Sequence, residues 1–319
     1  MAHANAAESG AKSRSTRKSR QEKLIPLDKV PLGASIVVGL LAFVIALIYA
    51  YWPTLAWAED AWRNEPDYSH GYLVVPLAAM LCWHRRDSFP GIRSELSWIG
   101  LGLMAFAIVM RIASRVVFAD FLDGWSILPM VAGAIWLLAG PAALRWSLPA
   151  VAFLFLMIPM PYQAESLLSW KLQGFATHLS TVFLRVVGFP AVAEGHVIWL
   201  GDQPLEVAAA CSGMRIFMGV IALAFFWAAM MRRGWVDRIV LMAVSIPLAI
   251  FVNAVRITAI GVMYTWFPSD AAHRSIHTNS GLLMIPFAFV LLWGFKAYWE
   301  QLYRPNEQIS ASQLARGAA

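Results

Sequence analysis

Long apolar runs separated by short polar segments dominate the chain. A membrane helix needs about 20 apolar residues to cross about 30 Å of hydrocarbon, and eight runs reach or approach that length. They are 32–52, 71–83, 99–114, 121–140, 146–160, 212–231, 239–267 and 281–299. Because the run 71–83 is short, we expect it to be tilted, re-entrant or extended by its flanks. The pattern predicts an all-α polytopic integral membrane protein with about eight transmembrane helices.

The segment 161–210 does not follow this pattern. From about 163 to 187, apolar residues recur at steps of three or four, which predicts a short amphipathic helix at the membrane interface. These residues are Leu167, Leu168, Leu172, Phe175, Leu179, Phe183 and Val186. The stretch 195–207 has two short β-like runs around Gly-Asp-Gln-Pro, which predicts a small hairpin. We expect both elements on the extracytoplasmic side.

The charges of the short loops predict the orientation, because cytoplasmic loops carry an excess of Lys and Arg. If the basic N-terminus is inside, the inside loops are 84–96, 141–145 and 232–238. Their basic residues are Arg85, Arg86, Arg93, Arg145, Arg232, Arg233 and Arg238. The outside loop 53–70 has Glu59, Asp60, Glu65 and Asp67 against Arg63, and the outside turn 119–124 has Asp120 and Asp123. Every inside loop is basic, so the predicted topology is self-consistent.

Composition supports a membrane environment. The chain is 59% hydrophobic and 14% charged, whereas soluble domains have about 25% charged residues. Much of the net charge of +6 lies in the first 29 residues, a position typical of a cytoplasmic tail that contacts anionic lipid. We therefore expect membrane lipid and no nucleic acid as a partner. The predicted organisation is a disordered basic cytoplasmic tail at 1–29, a membrane domain at 30–300 and a cytoplasmic C-terminal tail at 301–319.

Three residues of reactive type converge in this topology. Cys211 immediately precedes the sixth apolar run, Arg256 lies late in the seventh, and His277 lies just before the eighth. Because neighbouring spans are antiparallel, all three are expected near the same membrane face, which the charges place outside. A thiolate is a nucleophile, an imidazole accepts and returns a proton, and a guanidinium stabilises an oxyanion.

Four other residues are candidates for supporting roles. Ser212 follows Cys211 directly, Arg215 lies one helical turn further on, and Asn253 lies three residues before Arg256 on the same helical face. His70 precedes the second run. The residues alone also allow an inert packing role for Cys211 and a structural one for Arg256.

The remaining cysteine and histidines limit the alternatives. His273 lies one turn from His277 and is its rival. Cys82 lies at the inner end of the second run, nearly a bilayer thickness from Cys211. A disulfide needs Cα atoms within about 7 Å, so we expect none between them. No Cys/His set has zinc-site spacing and no phosphate-binding glycine loop is present, so we expect no metal and no cofactor.

These residues resemble the motifs of the exosortase/archaeosortase family. The resemblance rests on Ala-Cys-Ser-Gly-Met-Arg at 210–215, Asn-Ala-Val-Arg-Ile at 253–257, and His277 with Gly281 four residues later. It extends to Tyr-Ser-His-Gly-Tyr at 68–72 and Ile-Pro-Met-Pro at 158–161. It covers roughly residues 55–300, and the order and spacing of the motifs make it specific.

The resemblance implies a transpeptidase-like cysteine protease of the bacterial inner membrane. Such an enzyme would cleave a C-terminal sorting tail from exported proteins and pass them to an acceptor. The tail has a short motif such as Pro-Glu-Pro, a membrane helix and a basic cluster. By position, Cys211 would be the nucleophile, Arg256 the oxyanion-stabilising residue and His277 the acid/base.

Other interpretations stay open. A membrane transporter, or a noncatalytic component of export assembly, would also have this composition. For His70, the resemblance marks Ser69-His70-Gly71 as characteristic. We favour a plainer interpretation, in which Ser69 caps a helix and His70 faces lipid headgroups.

Overall fold

The structure is a computed structural model that describes residues 24–25, 34–93, 97–207, 213–231, 233–266 and 270–302. In the last helix, side chains are described from Leu283 onward. The chain divides into two compact units, Met1–Pro161 and Tyr162–Ala319.

Six α-helices form the described part of the first unit. They are α1 Ala34–Ala50, α2 Trp52–Asn64, α3 Gly71–His84, α4 Trp98–Val117, α5 Asp120–Ala139 and α6 Pro141–Phe153. Short 3₁₀ turns at Pro66–Tyr68, Arg86–Ser88 and Leu154–Met157 connect or extend them. Two short strands, β1 Leu24–Ile25 and β2 Ile92–Arg93, pair antiparallel. The strand β1 lies within the predicted N-terminal tail, whose other residues are outside the described ranges.

Helices α4 and α5 approach each other closely at two glycines. A Cβ added to Gly100 would lie 2.5 Å from the Leu137 backbone nitrogen, and one added to Gly133 would lie 2.8 Å from the Gly100 carbonyl oxygen. Small residues allow helix backbones to come this near in a membrane, where packing rather than hydrophobicity drives association.

A buried charged cluster fixes one end of this helix pair. Asp123 is only 3% exposed. Its Oδ1 accepts a hydrogen bond from Arg111 Nε at 2.9 Å, and its Oδ2 accepts one from Thr54 Oγ1 at 2.7 Å. Arg115, which is more exposed, reaches Oδ2 at 3.4 Å. The Arg111 guanidinium lies 4.0 Å from the centroid of the Tyr51 ring. The carboxylate thus links α2, α4 and α5.

The second unit contains four α-helices and a small sheet within its described ranges. The helices are α7 Tyr162–Val187, α8 Met214–Met230, α9 Trp235–Trp266 and α10 Asp270–Leu302. The strands β3 Ala191–Glu194, β4 Val197–Leu200 and β5 Gln203–Glu206 form an antiparallel sheet in that order. The turns at Gly195 and Gly201 have positive φ angles of 60° and 62°, a conformation that glycine adopts without steric cost.

Two apolar clusters hold this unit together. One joins α8, α9 and α10 through residues such as Val220, Val252 and Leu292. The other seats the sheet against α7 and the C-terminal half of α9, through Ile198, Leu205 and other residues. The sheet comes close to α9 at Gly261, where an added Cβ would lie 3.3 Å from Leu205 Cδ2.

The fold class predicted from the sequence is confirmed: the chain is an all-α polytopic membrane protein. Among the described residues, α4, α5 and α9 are each long and apolar enough to cross a membrane. Two further pairs qualify only when taken together, Leu41–Ala50 with Trp52–Asn64 and Pro141–Met157 with Tyr162–Val187. By length and composition the described helices therefore give three to five spans, and the number eight stays a prediction.

Several predicted boundaries differ from the structure. The predicted outside loop 53–70 is mostly the helix α2, which an Arg63–Glu59 pair one turn apart supports. The predicted hairpin is present but belongs to a three-stranded sheet. His277 was expected before the last helix, but α10 begins at Asp270 and includes it. The polar start of α10 has no apolar pattern, which is why hydropathy places the boundary too late.

The amphipathic helix is present as α7, and the face that it buries within the unit consists largely of small residues rather than of the apolar stripe predicted to lie at the membrane interface. Leu172, Ala176, Ser180 and Leu184 are buried at steps of four, and Ser180 Oγ donates a hydrogen bond to the Ala254 carbonyl oxygen at 3.2 Å. Several residues of the predicted apolar stripe are exposed instead, among them Leu167, Phe175 and Val186. Small residues face the core because they allow α7 to lie close to α9.

Candidate functional site

Helix α9 carries the two best-defined residues of the predicted site. Arg256 is 7% exposed and Asn253 is 2% exposed. Both lie on the side of α9 that faces the interior of the second unit, one helical turn apart. The packing of Val252, Ala254 and Ile257, all nearly fully buried, fixes this stretch of the helix. A charged side chain buried in a membrane helix is a functional-site hypothesis by default.

The residue that precedes the segment 208–212 is anchored on α9. Val207 is 3% exposed and belongs to the same core cluster as Ile257 and Ile260. Its N–H donates a hydrogen bond of 2.9 Å to the His196 carbonyl oxygen, so it continues the ladder between β5 and β4. The sheet thus delivers the chain to the part of α9 next to Arg256.

The residue that follows this segment is anchored on the same part of α9. Gly213 precedes α8 with a φ of 82°, and an added Cβ would lie 2.5 Å from Asn253 Cγ and 2.6 Å from Asn253 Nδ2. Glycine is therefore required at this position for two reasons: the left-handed backbone conformation and the nearby Asn253 carboxamide, which leaves no room for a Cβ. The two residues that bracket 208–212 thus both pack on the stretch of α9 from Asn253 to Ile260.

A narrow cleft opens beside this anchor. Its cavity volume is only about 10 Å³. Its lining is apolar except for one amide and consists of Leu172, Ala176, Gly213, Phe217, Ala249, Ile250 and Asn253. The Asn253 side chain is thus shared between the Gly213 contact and the cleft.

Helix α10 brings residue 277 towards the level of Arg256. Trp299 Nε1 donates a hydrogen bond of 2.9 Å to Asp237 Oδ1, which joins the end of α10 to the start of α9. Counting from this contact, Arg256 lies 19 residues along α9 and His277 lies 22 residues back along α10. At 1.5 Å per residue these lengths are about 29 Å and about 33 Å, so both positions lie far along their helices from this contact.

The other predicted site residues differ in how far the structure describes them. Cys211 and Ser212 lie outside the described residues, and the same holds for the side chain of His277. Arg215 is half-buried in the first turn of α8. Cys82, in the first unit, is a free thiol in α3. Among the described residues, no group of three or more His, Cys, Asp or Glu side chains is arranged to hold a metal ion.

His70 lies in the first unit and is bound to the backbone rather than facing headgroups. Its Nδ1 is 3.1 Å from the Asp67 carbonyl oxygen and its Nε2 is 3.0 Å from that of Leu156. Burial lowers the pKa of His70, against the opposite effect of the two carbonyls. Ser69 is not a helix cap, since its Oγ donates to the Pro66 carbonyl oxygen. Both parts of the plainer interpretation are therefore wrong.

The contacts of His70 belong to a larger junction. Trp62 Nε1 donates to the Met157 carbonyl oxygen at 2.7 Å, and the Tyr68 hydroxyl accepts from Met160 N–H at 3.2 Å. Gly71 allows this arrangement, because a Cβ at that position would overlap the Trp62 indole. The Tyr-Ser-His-Gly-Tyr segment and the Ile-Pro-Met-Pro segment, which are far apart in the sequence, thus meet in the first unit.

The anchor at Gly213 leads to a prediction. Gly213→Ala should lower any activity that depends on Cys211 by at least about tenfold, because the new Cβ meets Asn253 and the left-handed backbone costs about 1–2 kcal/mol. Gly219→Ala on the same helix is the matched control, because its Cβ would meet nothing within 4 Å. The rate of substrate processing at equal protein level is the measurement. Equal rates for the two variants would contradict the anchor.

The fold defines the class of the molecule, a polytopic α-helical membrane protein. A sequence model described as Transmembrane exosortase (Exosortase_EpsH) matches residues 62–294, more than two thirds of the chain. The chain therefore belongs to the transmembrane exosortase family. Comparisons with curated proteins and with solved structures gave no match.

Sequence reasoning overlooked the anchors of the site. The sequence pattern assigned Val207 to the predicted hairpin and Gly213 to the Ala-Cys-Ser-Gly-Met-Arg motif. Nothing in their spacing shows that both residues pack on α9. The positive φ of Gly213 has a weak sequence signal, a glycine just before an apolar run. The contact with Asn253 has none, because it joins residues 40 positions apart.

Proposed function

We propose that this chain is a membrane cysteine protease/transpeptidase. It would cleave a C-terminal sorting tail of the PEP-CTERM type from exported proteins and transfer them to an acceptor. Its membership of the exosortase family supports this proposal. The single observation that carries it is the packing of Val207 and Gly213 on the stretch of α9 that holds Arg256. Only five residues, one of them Cys211, separate these two anchors.

The first half of the proposed reaction forms a thioester. The Cys211 thiolate attacks the carbonyl carbon of the scissile peptide bond, and the carbonyl oxygen becomes an oxyanion. Arg256 donates hydrogen bonds to that oxygen, which lowers the barrier because the charge develops only in the transition state. The intermediate then collapses, the C–N bond breaks, and His277 gives a proton to the leaving amine.

The second half of the reaction releases the product. An amine or a water molecule attacks the thioester carbonyl and gives a proton to His277. A second oxyanion forms in the same place and meets the same guanidinium. Collapse expels the Cys211 thiolate and returns the enzyme to its starting state. An amine acceptor gives transfer, and water gives hydrolysis.

The proposed location is the bacterial inner membrane with the site on the periplasmic side. Basic residues in the 84–96, 141–145 and 232–238 segments support this orientation. The proposed partners are exported proteins with a C-terminal motif, a membrane helix and a basic tail. The basic cluster would stay at the cytoplasmic face, while the scissile bond reaches the opposite face.

The test is loss of a C-terminal tag from a substrate. Wild type, Cys211→Ala and Cys82→Ala are each co-expressed with a sorting-tail protein tagged at both ends. We expect tag loss with wild type and with Cys82→Ala, and retention with Cys211→Ala, because only the Cys211 thiolate is the proposed nucleophile. Cys82→Ala is a matched control because it removes the other cysteine of the chain.

Two outcomes would contradict the proposal. If Cys211→Ala removes the tag as well as wild type, Cys211 is not the nucleophile. If a panel of different tails stays uncut with wild type, a transporter or a noncatalytic role in export assembly gains support. Loss of transport on changing Arg256, without any change in proteolysis, would favour the transporter.

A further inference from the structure

The small sheet of the second unit ends at β5, and one edge of this strand is unpaired among the described strands. β5 is the last strand in the order β3-β4-β5, and no other described strand pairs with it. Gln203, Pro204 and Glu206 are exposed, while Leu205 is 8% exposed and belongs to the core. β5 therefore has one side against β4 and one side that presents backbone groups.

The register tells which backbone groups point outward. The hydrogen bond from Val207 N–H to His196 O shows that this pair is bonded across the ladder. Antiparallel pairs alternate between bonded and non-bonded, so Leu205 and Gln203 also bond towards β4. Pro204 and Glu206 must then point away from β4. The outward groups of β5 are the Pro204 carbonyl and the N–H and carbonyl of Glu206.

The place of this edge in the sequence suggests its use. Glu206 lies five residues before Cys211, a distance of at most about 18 Å even for a fully extended chain. A peptide paired with β5 would therefore hold its following residues within reach of the proposed nucleophile. Extended peptides commonly bind by adding a strand to a sheet edge, with main-chain hydrogen bonds providing affinity.

The composition of the edge disfavours pairing with a second copy of this chain. Pro204 removes one donor, a common protection of edge strands against self-association. Asp202 and Glu206 are both exposed near this edge, and like charges that face each other across paired strands are destabilising.

We propose that the extended segment of the substrate that carries the scissile bond pairs with β5 as a fourth strand. This proposal rests on the proposed function. The Glu206 N–H donates to a substrate carbonyl, and the Glu206 carbonyl accepts from the N–H of the same substrate residue or of one two positions away. The pairing aligns the substrate main chain independently of its side chains and directs it towards Cys211.

Glu206→Pro tests the pairing with little disturbance of the fold. It removes only the outward N–H, because that group does not bond to β4, and the preceding residue already has the extended conformation that proline favours. Glu206→Ala is the matched control, since it removes the carboxylate and keeps the N–H. The measurement is the initial rate of tail cleavage against substrate concentration. We expect kcat/KM of Glu206→Pro to be about tenfold or more below that of Glu206→Ala, because the two variants share the loss of the carboxylate and differ in the outward N–H.

A second measurement leaves the enzyme unchanged. A series of synthetic tail peptides, each N-methylated at one position, is offered to wild-type protein in lipid vesicles. Pairing with β5 predicts that one N-methyl group near the scissile bond, facing the Glu206 carbonyl, reduces cleavage about tenfold, while the N-methyl group of the next residue has little effect.

Four results would overturn this proposal. Full activity of Glu206→Pro would show that the outward N–H is not used. Equal loss in both Glu206 variants would assign the effect to the carboxylate. A change of oligomeric state in Glu206→Pro would make the edge a contact between copies of this chain. Cleavage by Cys211→Ala at the wild-type rate would instead overturn the proposed function, and this proposal with it.

Discussion

Arg256→Lys is expected to reduce tail processing at least about hundredfold while the protein stays in the membrane at its normal level. Removal of one oxyanion donor costs about 10²–10³ in rate. Lysine keeps the positive charge, but it lacks the planar fork of donors and reaches a different point. Because Arg256 is 7% exposed, keeping a cation there limits any loss of folding. The measurement is the initial rate of tag loss at equal protein level.

Arg238→Lys is the control for this substitution. Arg238 lies near the other end of α9, where it donates a hydrogen bond of 2.8 Å to the Met231 carbonyl oxygen. Its replacement should leave the rate near that of wild type. If Arg256→Lys processes the tail at the wild-type rate, Arg256 has a structural role and the oxyanion needs another donor.

Asp123→Asn is expected to lower the free energy of unfolding by about 3 kcal/mol or more. Removing one partner of a buried ion pair leaves the other charge uncompensated, which typically costs about 3–5 kcal/mol. The Arg111 side chain is only 21% exposed and would lose its counter-ion. Asparagine has nearly the same shape, so the effect isolates the charge. The measurement is denaturant unfolding of the purified protein in detergent micelles.

Two further variants make this result interpretable. Asp120→Asn removes an exposed carboxylate in the same helical turn and should change stability by less than about 0.5 kcal/mol. The double replacement of Asp123 and Arg111 by leucine should recover part of the loss, because an apolar pair needs no counter-ion. Unchanged stability of Asp123→Asn would show that the cluster does not support the first unit.

The apolar runs of the sequence predicted the limits of a helix well where that helix is apolar along its whole length. The run 99–114 becomes Trp98–Val117 and the run 121–140 becomes Asp120–Ala139. They failed where a helix is polar, as in α2 and in the start of α10. A polar helix has no apolar run, so hydropathy does not mark where it begins or ends.

The buried face of α7 shows a second limit of pattern reasoning. Large apolar residues at helical spacing predicted a stripe at the membrane interface, but they did not predict the face that packs in the protein, where Ala176 and Ser180 are buried. In a soluble protein the large apolar face is the buried one. In lipid the exposed side also favours apolar residues, so periodicity alone does not tell which face is packed.

The site was predictable in part. Helical spacing placed Asn253 and Arg256 on one face, and both are buried there. The topology placed Arg256 and His277 towards the same face, and this placement stays a prediction because the side chain of His277 lies outside the described residues. The roles of Val207 and Gly213 depend on contacts between distant parts of the chain. Such contacts cannot be predicted from the pattern of a single sequence.

The attachment of both anchors to one helix has a consequence in a bilayer of variable thickness. Helix α9 has 32 residues, about 48 Å at 1.5 Å per residue, against about 30 Å of hydrocarbon. Such a helix adapts to a thinner or thicker bilayer by changing its tilt. Val207 and Gly213 turn with it, so the spacing between them and Arg256 is preserved as the tilt changes. The same protein is therefore expected to keep its geometry as lipid chain length varies.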